Sequence, residues 1–279
     1  MVRSGPPLVT RRRLLTAAAP LAGVAVLGPV WSWYLEPRWV DWSSQQVVIP
    51  SLPEALEGAR VVHLTDVHAS AAVPLRYVRR VVDRVCRLEP DLVVITGDLV
   101  THDSAFISGV ARELGRLRGR LGTFAVLGNH DYWVDGPRLG RQLEAAGVHH
   151  LRNESVVLEG LRLLGIDDHW TGNDDLDRAM AGVGADEPSV LLMHSPDLLS
   201  DAASAGVDVA LAGHTHGGQV RLPWYGALVL PSVHGFEQGW YEQGATRMYV
   251  NRGVGTLETR ARLLCRPEVL ELTLSRGAA

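Results

Sequence analysis

Residues 59–68, which read ARVVHLTDVH, decide the fold. The first part, Ala59–Thr65, is a short and mostly apolar run that predicts a buried β-strand. Asp66 and His68 follow at the carboxyl end of that strand. This placement is typical of a binding site in an α/β domain, because open α/β sheets bind ligands beyond the carboxyl ends of their strands.

The same pattern continues along the chain. Apolar residues recur at helical spacing over Leu75–Leu88, and further helices are predicted around Ser104–Leu117 and Pro137–Ala146. Two more strands, Asp91–Thr96 and Thr123–Leu127, alternate with these helices. The order of strand, helix and strand predicts a layered α/β domain whose first sheet is largely parallel.

The later part of the chain is richer in strands and has few clear helices, so it predicts a second, mixed sheet. Its apolar runs are Ser155–Leu164, Val190–Met193, Val207–Ala212, Met248–Asn251 and Val269–Leu274. Pro50-Ser51-Leu52-Pro53 is interpreted as the join between the amino-terminal segment and a single domain. We therefore predict a linker over residues 36–55 and one domain over residues 56–275.

Five predicted strand ends carry side chains suited to catalysis or metal binding. They are Asp66-Val67-His68, Gly97-Asp98, Gly128-Asn129-His130-Asp131, His194, and Gly213-His214-Thr215-His216. Each block alone has an ordinary structural explanation, such as a helix cap at Asp98 or a turn at Asn129. Structural roles alone do not predict five such blocks in a row, so we expect them to converge on one site.

The candidate ligands combine carboxylate, imidazole and amide groups without a thiolate, a set that suits Mn, Fe or Zn. They are Asp66, His68, Asp98, Asn129, His194, His214 and His216. Seven ligands are too many for one four-coordinate ion and fit two ions that share a carboxylate. Two ions about 3.5–4 Å apart can generate a hydroxide and stabilise an in-line displacement, which favours phosphoester hydrolysis.

Composition excludes several classes of function. All 27 basic residues are Arg, so catalysis through a Lys amine and a P-loop nucleotide site are both excluded. Two cysteines, Cys86 and Cys265, are too few for a disulfide framework. Residues 36–279 carry a net charge of −8, which argues against a nucleic-acid partner, because such a partner requires a basic surface.

The amino terminus predicts a membrane segment. Residues 1–13 are basic, and the 22 residues of 14–35 carry no charge, which is long enough to span a bilayer. Trp31, Trp33 and Tyr34 at the end of this stretch are typical of a membrane–water interface. The preceding Arg residues favour a single-pass, N-in orientation with the domain outside the cytoplasm.

The Arg11-Arg12 pair before this stretch resembles a twin-arginine export signal. An uncleaved anchor is the preferred interpretation. Cleavage near Gly23-Val24-Ala25, with export of the domain, is one alternative. A helix that lies on the membrane or packs on the domain is another, and a domain on the cytoplasmic face is the alternative orientation.

In their order, the five blocks resemble those of the calcineurin-like metallophosphoesterases. They span residues 66–216, and the wider similarity runs from about residue 59 to residue 273. The closer likeness is to a membrane-anchored bacterial branch, in which Gly217-Gly218-Gln219 follows the paired histidines. Some members of that branch are exported by the twin-arginine route, and others resemble lipid A pathway enzymes that hydrolyse UDP-2,3-diacylglucosamine.

The resemblance implies a four-layer αββα sandwich after an N-terminal membrane helix, and a role for each site residue. Two ligand sets follow, with Asp98 bridging them: Asp66, His68 and His216 for the first ion, and Asn129, His194 and His214 for the second. His130 would stabilise the phosphorus centre and protonate the leaving oxygen, and Asp131 would orient His130.

Residues outside these blocks give further expectations. Arg252 is the best candidate for binding a second phosphate group of the substrate. Four tryptophans fall in or after the motif loops: Trp133, Trp170, Trp224 and Trp240. Packing is the preferred interpretation for these tryptophans, and an apolar or base-stacking rim around the site is the alternative.

The sequence therefore predicts a membrane-anchored hydrolase that uses two divalent metal ions to cleave a phosphodiester or pyrophosphate bond. The substrate is expected to be lipid-linked or a nucleotide sugar. A phosphomonoesterase or protein phosphatase at the same site is one alternative. The other is a non-catalytic, membrane-tethered protein that uses the metal centre only to bind a phosphorylated ligand.

Overall fold

The computed structural model describes residues 27–184, 186–257 and 259–277. Two six-stranded sheets account for most of their strands. The first sheet has the order β1 (Asp41–Val48), β14 (Glu268–Ser275), β2 (Arg60–Leu64), β3 (Leu92–Thr96), β4 (Gly122–Val126) and β5 (His149–His150). Within it, β2 to β5 are parallel, and β14 runs antiparallel to β2 and parallel to β1.

The second sheet is mixed, as predicted. Its order is β12 (Gly239–Gln243), β13 (Thr246–Val250), β9 (Val209–Ala212), β8 (Ser189–Leu192), β7 (Leu161–Gly165) and β6 (Glu154–Leu158). The four central strands are parallel, and each edge strand forms an antiparallel hairpin with its neighbour. A two-stranded ribbon, β10 (Arg221–Leu222) and β11 (Gly226–Ala227), lies apart from both sheets.

Helices cover the outer faces of the two sheets. In chain order the α-helices are α1 (Leu75–Leu88), α2 (Ile107–Leu114), α3 (Asn129–Val134), α4 (Gly136–Ala145), α5 (Leu176–Ala179) and α6 (Leu199–Ser204). Side chains of α1, α2 and α4 form one core with the first sheet, and side chains of α5 and α6 form another with the second sheet. A third core fills the space between the sheets.

These three cores separate four layers in the order helix, sheet, sheet, helix, which is the sandwich that the resemblance implied. Alternate residues of each central strand enter different cores, as the twofold period of a β-strand requires. In β3, Val93 and Ile95 pack beneath the helices, whereas Leu92 and Val94 face the second sheet. Burial on both faces explains why these strands read as nearly continuous apolar runs.

The predicted linker over residues 36–55 is wrong, because this segment contains strand β1. Asp41–Val48 pairs with Glu268–Ser275 along its whole length. Val47, Ile49 and Leu52 then enter the core between the sheets. The strand is missed in the sequence because it lies at a sheet edge, where most of its side chains are polar and at least partly exposed.

Most of the predicted membrane helix, residues 14–35, lies outside the described residues. Its described end contains a short helical turn, Trp31–Leu35, which continues into Glu36–Arg38. Glu36 ties this segment to the domain, since its buried carboxylate accepts a hydrogen bond of 2.6 Å from the amide of Cys265. No helix in the described part of the chain is long and apolar enough to cross a membrane.

One buried carboxylate links the two sheets. Glu268, at the start of β14, accepts hydrogen bonds from Ser43 on β1 and Tyr249 on β13, at 2.6 and 2.8 Å. It also accepts one of 3.1 Å from Nε of Arg252. A second ion pair of 2.8 Å joins Arg252 to Asp41. Arg252 is therefore neutralised by two carboxylates, which corrects the prediction that its guanidinium is available to bind a substrate phosphate.

We expect Glu268→Ala to destabilise the protein by about 3 kcal/mol, because it leaves the largely buried Arg252 without its main partner. Urea unfolding followed by circular dichroism measures the change. Glu271→Ala on the same strand is the matched control, and its partly exposed side chain predicts a loss within about 0.5 kcal/mol. Equal stability of the two variants would show that Glu268 does not hold the sheets together.

Candidate metal centre

The predicted ligands converge where the carboxyl ends of strands from both sheets meet. The first sheet contributes the residues after β2, β3 and β4, and the second contributes those after β8 and β9. The amide of Asp66 donates to the carbonyl of Gly97, and the amide of Gly213 donates to that of His194. These bonds extend the strand pairing past the strand ends and fix the loops relative to one another.

The ligands form two buried groups. Asp66, His68 and His216 make one group, and Asp98, His194 and His214 make the other; within each, the nearest ligand atoms lie within 4.8 Å of one another. In the first group, Nε2 of His216 lies 3.0 Å from Nε2 of His68 and 3.2 Å from Oδ1 of Asp66. In the second, Nδ1 of His214 lies 3.1 Å from Nε2 of His194.

Asp98 faces both groups. Its Oδ2 lies 3.5 Å from Nε2 of His68 and 3.2 Å from Nε2 of His194. Its Oδ1 accepts a hydrogen bond of 2.9 Å from the amide of His130. The carboxylate is thus held in place by one oxygen, and its other oxygen lies between the two groups.

Hydrogen bonds outside the groups orient the imidazoles. Nδ1 of His194 lies 2.7 Å from the carbonyl oxygen of Thr96. Because a carbonyl only accepts, Nδ1 carries a proton, and Nε2 of the ring faces Asp98. Nδ1 of His68 lies 3.3 Å from the hydroxyl of Thr101, which likewise leaves its Nε2 for the cluster. Such partners are typical of metal-binding histidines.

Two buried polar atoms at the site have no hydrogen-bond partner among the described residues: Oδ1 of Asn129 and Nε2 of His214. An unpaired buried polar atom is costly, so each requires an explanation. Both atoms are acceptable metal ligands, and both belong to the predicted second set. The donor set and these unpaired atoms fit two divalent ions.

The charge distribution supports the same conclusion. Burial lowers the pKa of His68 to about 3 and that of His214 to about 4, so both rings are neutral, as metal ligands must be. Burial also disfavours a charged His194, yet the adjacent Asp98 carboxylate raises its pKa to about 10. Although burial opposes it, the surrounding histidines hold the pKa of Asp66 far below its usual range. Buried carboxylates therefore create a strongly negative potential that attracts cations.

Five of the ligands have left-handed backbone conformations, which non-glycine residues rarely adopt. The φ angles are 51° at Asp66, 49° at His68, 55° at Asp98, 71° at His214 and 52° at His216. Residues held in such conformations cost of order 1–3 kcal/mol each and cluster at functional sites. The surrounding layers must therefore hold these five residues in place.

Close backbone approach explains two glycines in the motifs. A Cβ atom at Gly128 would collide with the Asp98 carboxylate, and one at Gly213 would collide with Thr65 and the Asp66 carboxylate. Any side chain at these positions would displace a ligand. Only glycine fits at these two positions, whatever role either residue also has in a turn.

His130 lies at the edge of the cluster and is 9% exposed. Its ring is perpendicular to that of His68, with 5.0 Å between centroids. Nδ1 of His130 donates a hydrogen bond of 3.2 Å to the carbonyl oxygen of Thr101. This corrects the prediction that Asp131 orients His130, because the ring is held by a backbone carbonyl.

Asp131 instead binds the backbone of two loops. Its carboxylate accepts from the amides of Leu99 and Val100, at 2.8 and 3.1 Å, and from that of Gly128 at 3.0 Å. It joins the loop after β3, which carries Asp98, to the loop after β4, which carries His130. Asp131 therefore contributes to the site by fixing the positions of these two segments relative to each other.

Sequence reasoning missed Arg262, a fully buried side chain whose Nη2 lies 3.3 Å from Nδ1 of His216. The same nitrogen donates to the carbonyls of Arg252, Gly253 and Gly255. Arg262 thus fixes the loop after β13 against a metal ligand. No motif singles it out, because Arg262 lies between other arginines in an irregular segment.

The tryptophans divide between the two interpretations. Trp133 is 59% exposed and its ring lies 4.6 Å from that of His130, while Trp170 is 49% exposed and lies 4.9 Å from His214. Each of these exposed rings lies beside an imidazole of the site, as the rim interpretation predicted. Trp240, in contrast, packs against Tyr249, as the packing interpretation predicted.

The fold and the two Asp/His groups that meet at Asp98 define a class, the dinuclear metallohydrolases. Within that class, residues 59–218 match the family model described as calcineurin-like phosphoesterase. The chain belongs to the calcineurin-like metallophosphoesterases, and its family activity is phosphoester hydrolysis. The resemblance found in the five sequence blocks is thereby confirmed.

Three relatives indicate the range of the family around this chain. Phosphodiesterase YaeI of Escherichia coli is 31% identical over 96% of this chain and 100% of its own length. The UDP-2,3-diacylglucosamine pyrophosphatase LpxG of Chlamydia muridarum is 24% identical over 89% of this chain and 93% of its own length. A transmembrane protein with a metallophosphoesterase domain from Bos taurus is 33% identical over 82% of this chain and 56% of its own length.

We expect the purified protein to bind two divalent ions, one at each ligand group. His194→Ala should lose one ion and retain the other, because the Asp66 group remains complete. Metal analysis after dialysis against Mn²⁺ or Zn²⁺ measures the ratio of metal to protein, and thermal unfolding measures the accompanying stabilisation. His234→Ala, which changes an exposed histidine outside both groups, is the control. A single ion in the unmodified protein would contradict the dinuclear assignment.

Proposed function

We propose that this protein hydrolyses a phosphodiester or pyrophosphate bond in a lipid-linked or nucleotide-sugar substrate. The observation that carries the proposal is the position of Asp98 between two buried ligand groups, with His130 beside them. The names of the relatives YaeI and LpxG support this bond type over a phosphomonoester.

In this proposal Asp66, His68 and His216 would hold the first ion and Asn129, His194 and His214 the second, and Asp98 would contribute to both sets. Two such ions would supply an activated water as nucleophile and would neutralise charge on the phosphoryl oxygens. The mixed nitrogen and oxygen donor set suits Mn, Fe and Zn, and it does not select one of them.

His130 acts as the general acid. The Thr101 carbonyl accepts the proton of its Nδ1, so the ring is fixed and its Nε2 is available to the substrate. When both nitrogens are protonated, Nε2 donates a proton to the leaving oxygen and its charge stabilises the phosphoryl group. The ring of Trp133 packs against that of His130, with 4.6 Å between their centroids.

Two alternative functions predict different experimental results. A phosphomonoesterase or protein phosphatase would use the same ligands and prefer p-nitrophenyl phosphate to bis(p-nitrophenyl) phosphate. A membrane-tethered binding protein would retain a phosphorylated ligand without turnover. The position of His130 beside the ligand groups favours an enzyme, because ligand capture requires no general acid.

We expect Asp98→Asn and His130→Ala to lower the turnover of bis(p-nitrophenyl) phosphate by at least about 100-fold. Loss of a general acid alone typically costs 10²–10⁴-fold. Both variants should keep the circular dichroism spectrum of the unmodified protein, and His234→Ala should keep its activity. Undiminished hydrolysis by both variants in the presence of Mn²⁺ would refute the proposed mechanism.

We further propose that residues 14–35 anchor the protein in a membrane, with the amino terminus in the cytoplasm and the domain outside. The support is the Arg cluster within residues 1–13, the uncharged stretch after it and the aromatic residues at its end. Export after cleavage and a domain on the cytoplasmic face remain alternatives. The name of the bovine relative as a transmembrane protein agrees with an anchored form.

Protease treatment of intact spheroplasts tests this topology. We expect the metallophosphoesterase domain to be degraded without lysis and to sediment with membranes until it is cut. Replacing Arg11 and Arg12 with Lys should block export if the twin-arginine route is used. A domain that resists protease until the cells are lysed would place it in the cytoplasm.

A further inference from the structure

One cavity lies next to the loop whose Gly255 amide donates to the carbonyl of Asp66. It has a volume of about 390 Å³. Its walls are the amino-terminal segment around Trp33 and Tyr34, the first turns of α1, and the loop that follows β13. None of the seven proposed metal ligands lines it, so it is a separate site.

Four arginines surround this cavity: Arg38, Arg76, Arg80 and Arg260. All four are exposed, and none forms an ion pair with another described residue. Other arginines of the protein do have acidic partners, as with Arg79, which binds Glu113. Within residues 27–184, 186–257 and 259–277, the positive charge around this cavity therefore has no paired carboxylate.

Like charges placed this close repel one another, and the repulsion within a helical pair four residues apart is weak. Arg76 and Arg80 are four residues apart on α1, so they lie on the same face of the helix, where like charges destabilise it. Arg38 and Arg260 add two more positive charges from other segments. A phosphate group in the cavity would compensate this repulsion, and Arg is the side chain best suited to binding phosphate.

The wall formed by the amino-terminal segment is aromatic. Trp33 and Tyr34 are 53% and 60% exposed and line the cavity. Both belong to the end of the uncharged stretch, residues 14–35. Aromatic residues at this position lie at the membrane–water interface when the stretch is inserted. The cavity thus combines cationic and apolar walls at the level where lipid headgroups are found.

A second cavity connects this site to the catalytic region. It has a volume of about 250 Å³ and shares Thr256 and Arg260 with the first cavity. Its other lining residues include Thr101 and His102. Thr101 accepts the hydrogen bond of His130, and the ring of His102 lies 5.6 Å from that of His130. The two cavities are therefore adjacent, and the second is lined by residues that contact the proposed general acid.

We propose that the arginine-lined cavity binds the phosphate headgroup of an acidic lipid, separately from the phosphoester that is hydrolysed at the metal centre. The arginines bind the phosphate, and Trp33 and Tyr34 contact the adjoining apolar part of the lipid. The proposal rests on the proposed membrane anchoring of residues 14–35, whereas the binding itself does not require hydrolysis.

Calorimetric titration of the full-length protein in neutral detergent tests this site with dihexanoyl phosphatidic acid as the probe. We expect the variant Arg76→Ala/Arg80→Ala to bind at least about tenfold more weakly, the loss expected for a charge-assisted hydrogen bond. Arg87→Ala is the matched control, because Arg87 is an exposed residue of the same helix that does not line the cavity. Equal affinity of the double variant and the control would overturn the proposal.

Two further probes separate a lipid from free phosphate. Glycerol 3-phosphate carries the headgroup without chains, and dihexanoyl phosphatidylcholine carries chains with no net charge. We expect both to bind more weakly than phosphatidic acid, and Trp33→Ala to weaken only the binding of phosphatidic acid. Binding of glycerol 3-phosphate as tight as that of phosphatidic acid would overturn the lipid assignment.

Hydrolysis of bis(p-nitrophenyl) phosphate by the same unmodified protein is measured in parallel. Hydrolysis without binding of phosphatidic acid would overturn the cavity proposal and leave the proposed function standing. Binding of phosphatidic acid that depends on Arg76 and Arg80, without hydrolysis, would support the cavity proposal and overturn the proposed function.

Discussion

The burial of two carboxylates, Asp66 and Asp98, where the strands of two sheets end is the constraint on which the rest of the structure depends. Their closest charged or polar neighbours are imidazoles, backbone amides and the hydroxyl of Thr65. Buried charge is tolerated only when it is paired or coordinated. The sheets must therefore present the histidines of both ligand groups at the same edge, and this requirement fixes how the two sheets are stacked.

The three apolar cores maintain this arrangement. The left-handed backbone at five ligands is unfavourable locally, so it must be stabilised by the packing around it. Asp131 and Arg262 contribute on opposite sides of the site by binding backbone groups of the ligand loops. Neither is a metal ligand, yet both determine where ligands lie.

Much of this could be predicted from the sequence, because the signals were local. Strands buried on both faces read as apolar runs, and helix α1 was predicted with its observed bounds, Leu75–Leu88. The metal ligands followed strand ends directly. Strand β1 was missed because it is a polar edge strand that pairs with residues more than two hundred positions away.

The errors at the site have a different physical origin. The role of Asp131 was implied by the family resemblance, but the acceptor for His130 is the backbone carbonyl of Thr101. Every residue has a backbone carbonyl, so the residue type does not reveal which carbonyl will accept a hydrogen bond. Arg252 was assigned from its charge alone, and its partners, Asp41 and Glu268, are brought close only by the pairing of β1 with β14.

The position of β14 within the first sheet also has a consequence for biosynthesis. This late strand is inserted between β1 and β2, which are among the first to leave the ribosome. The sheet cannot close, and Glu268 cannot join its partners, until nearly the whole chain has been made. Because such distant pairing delays folding, the domain must complete its fold after translation, and any machinery that transports it in a folded state must wait for this strand.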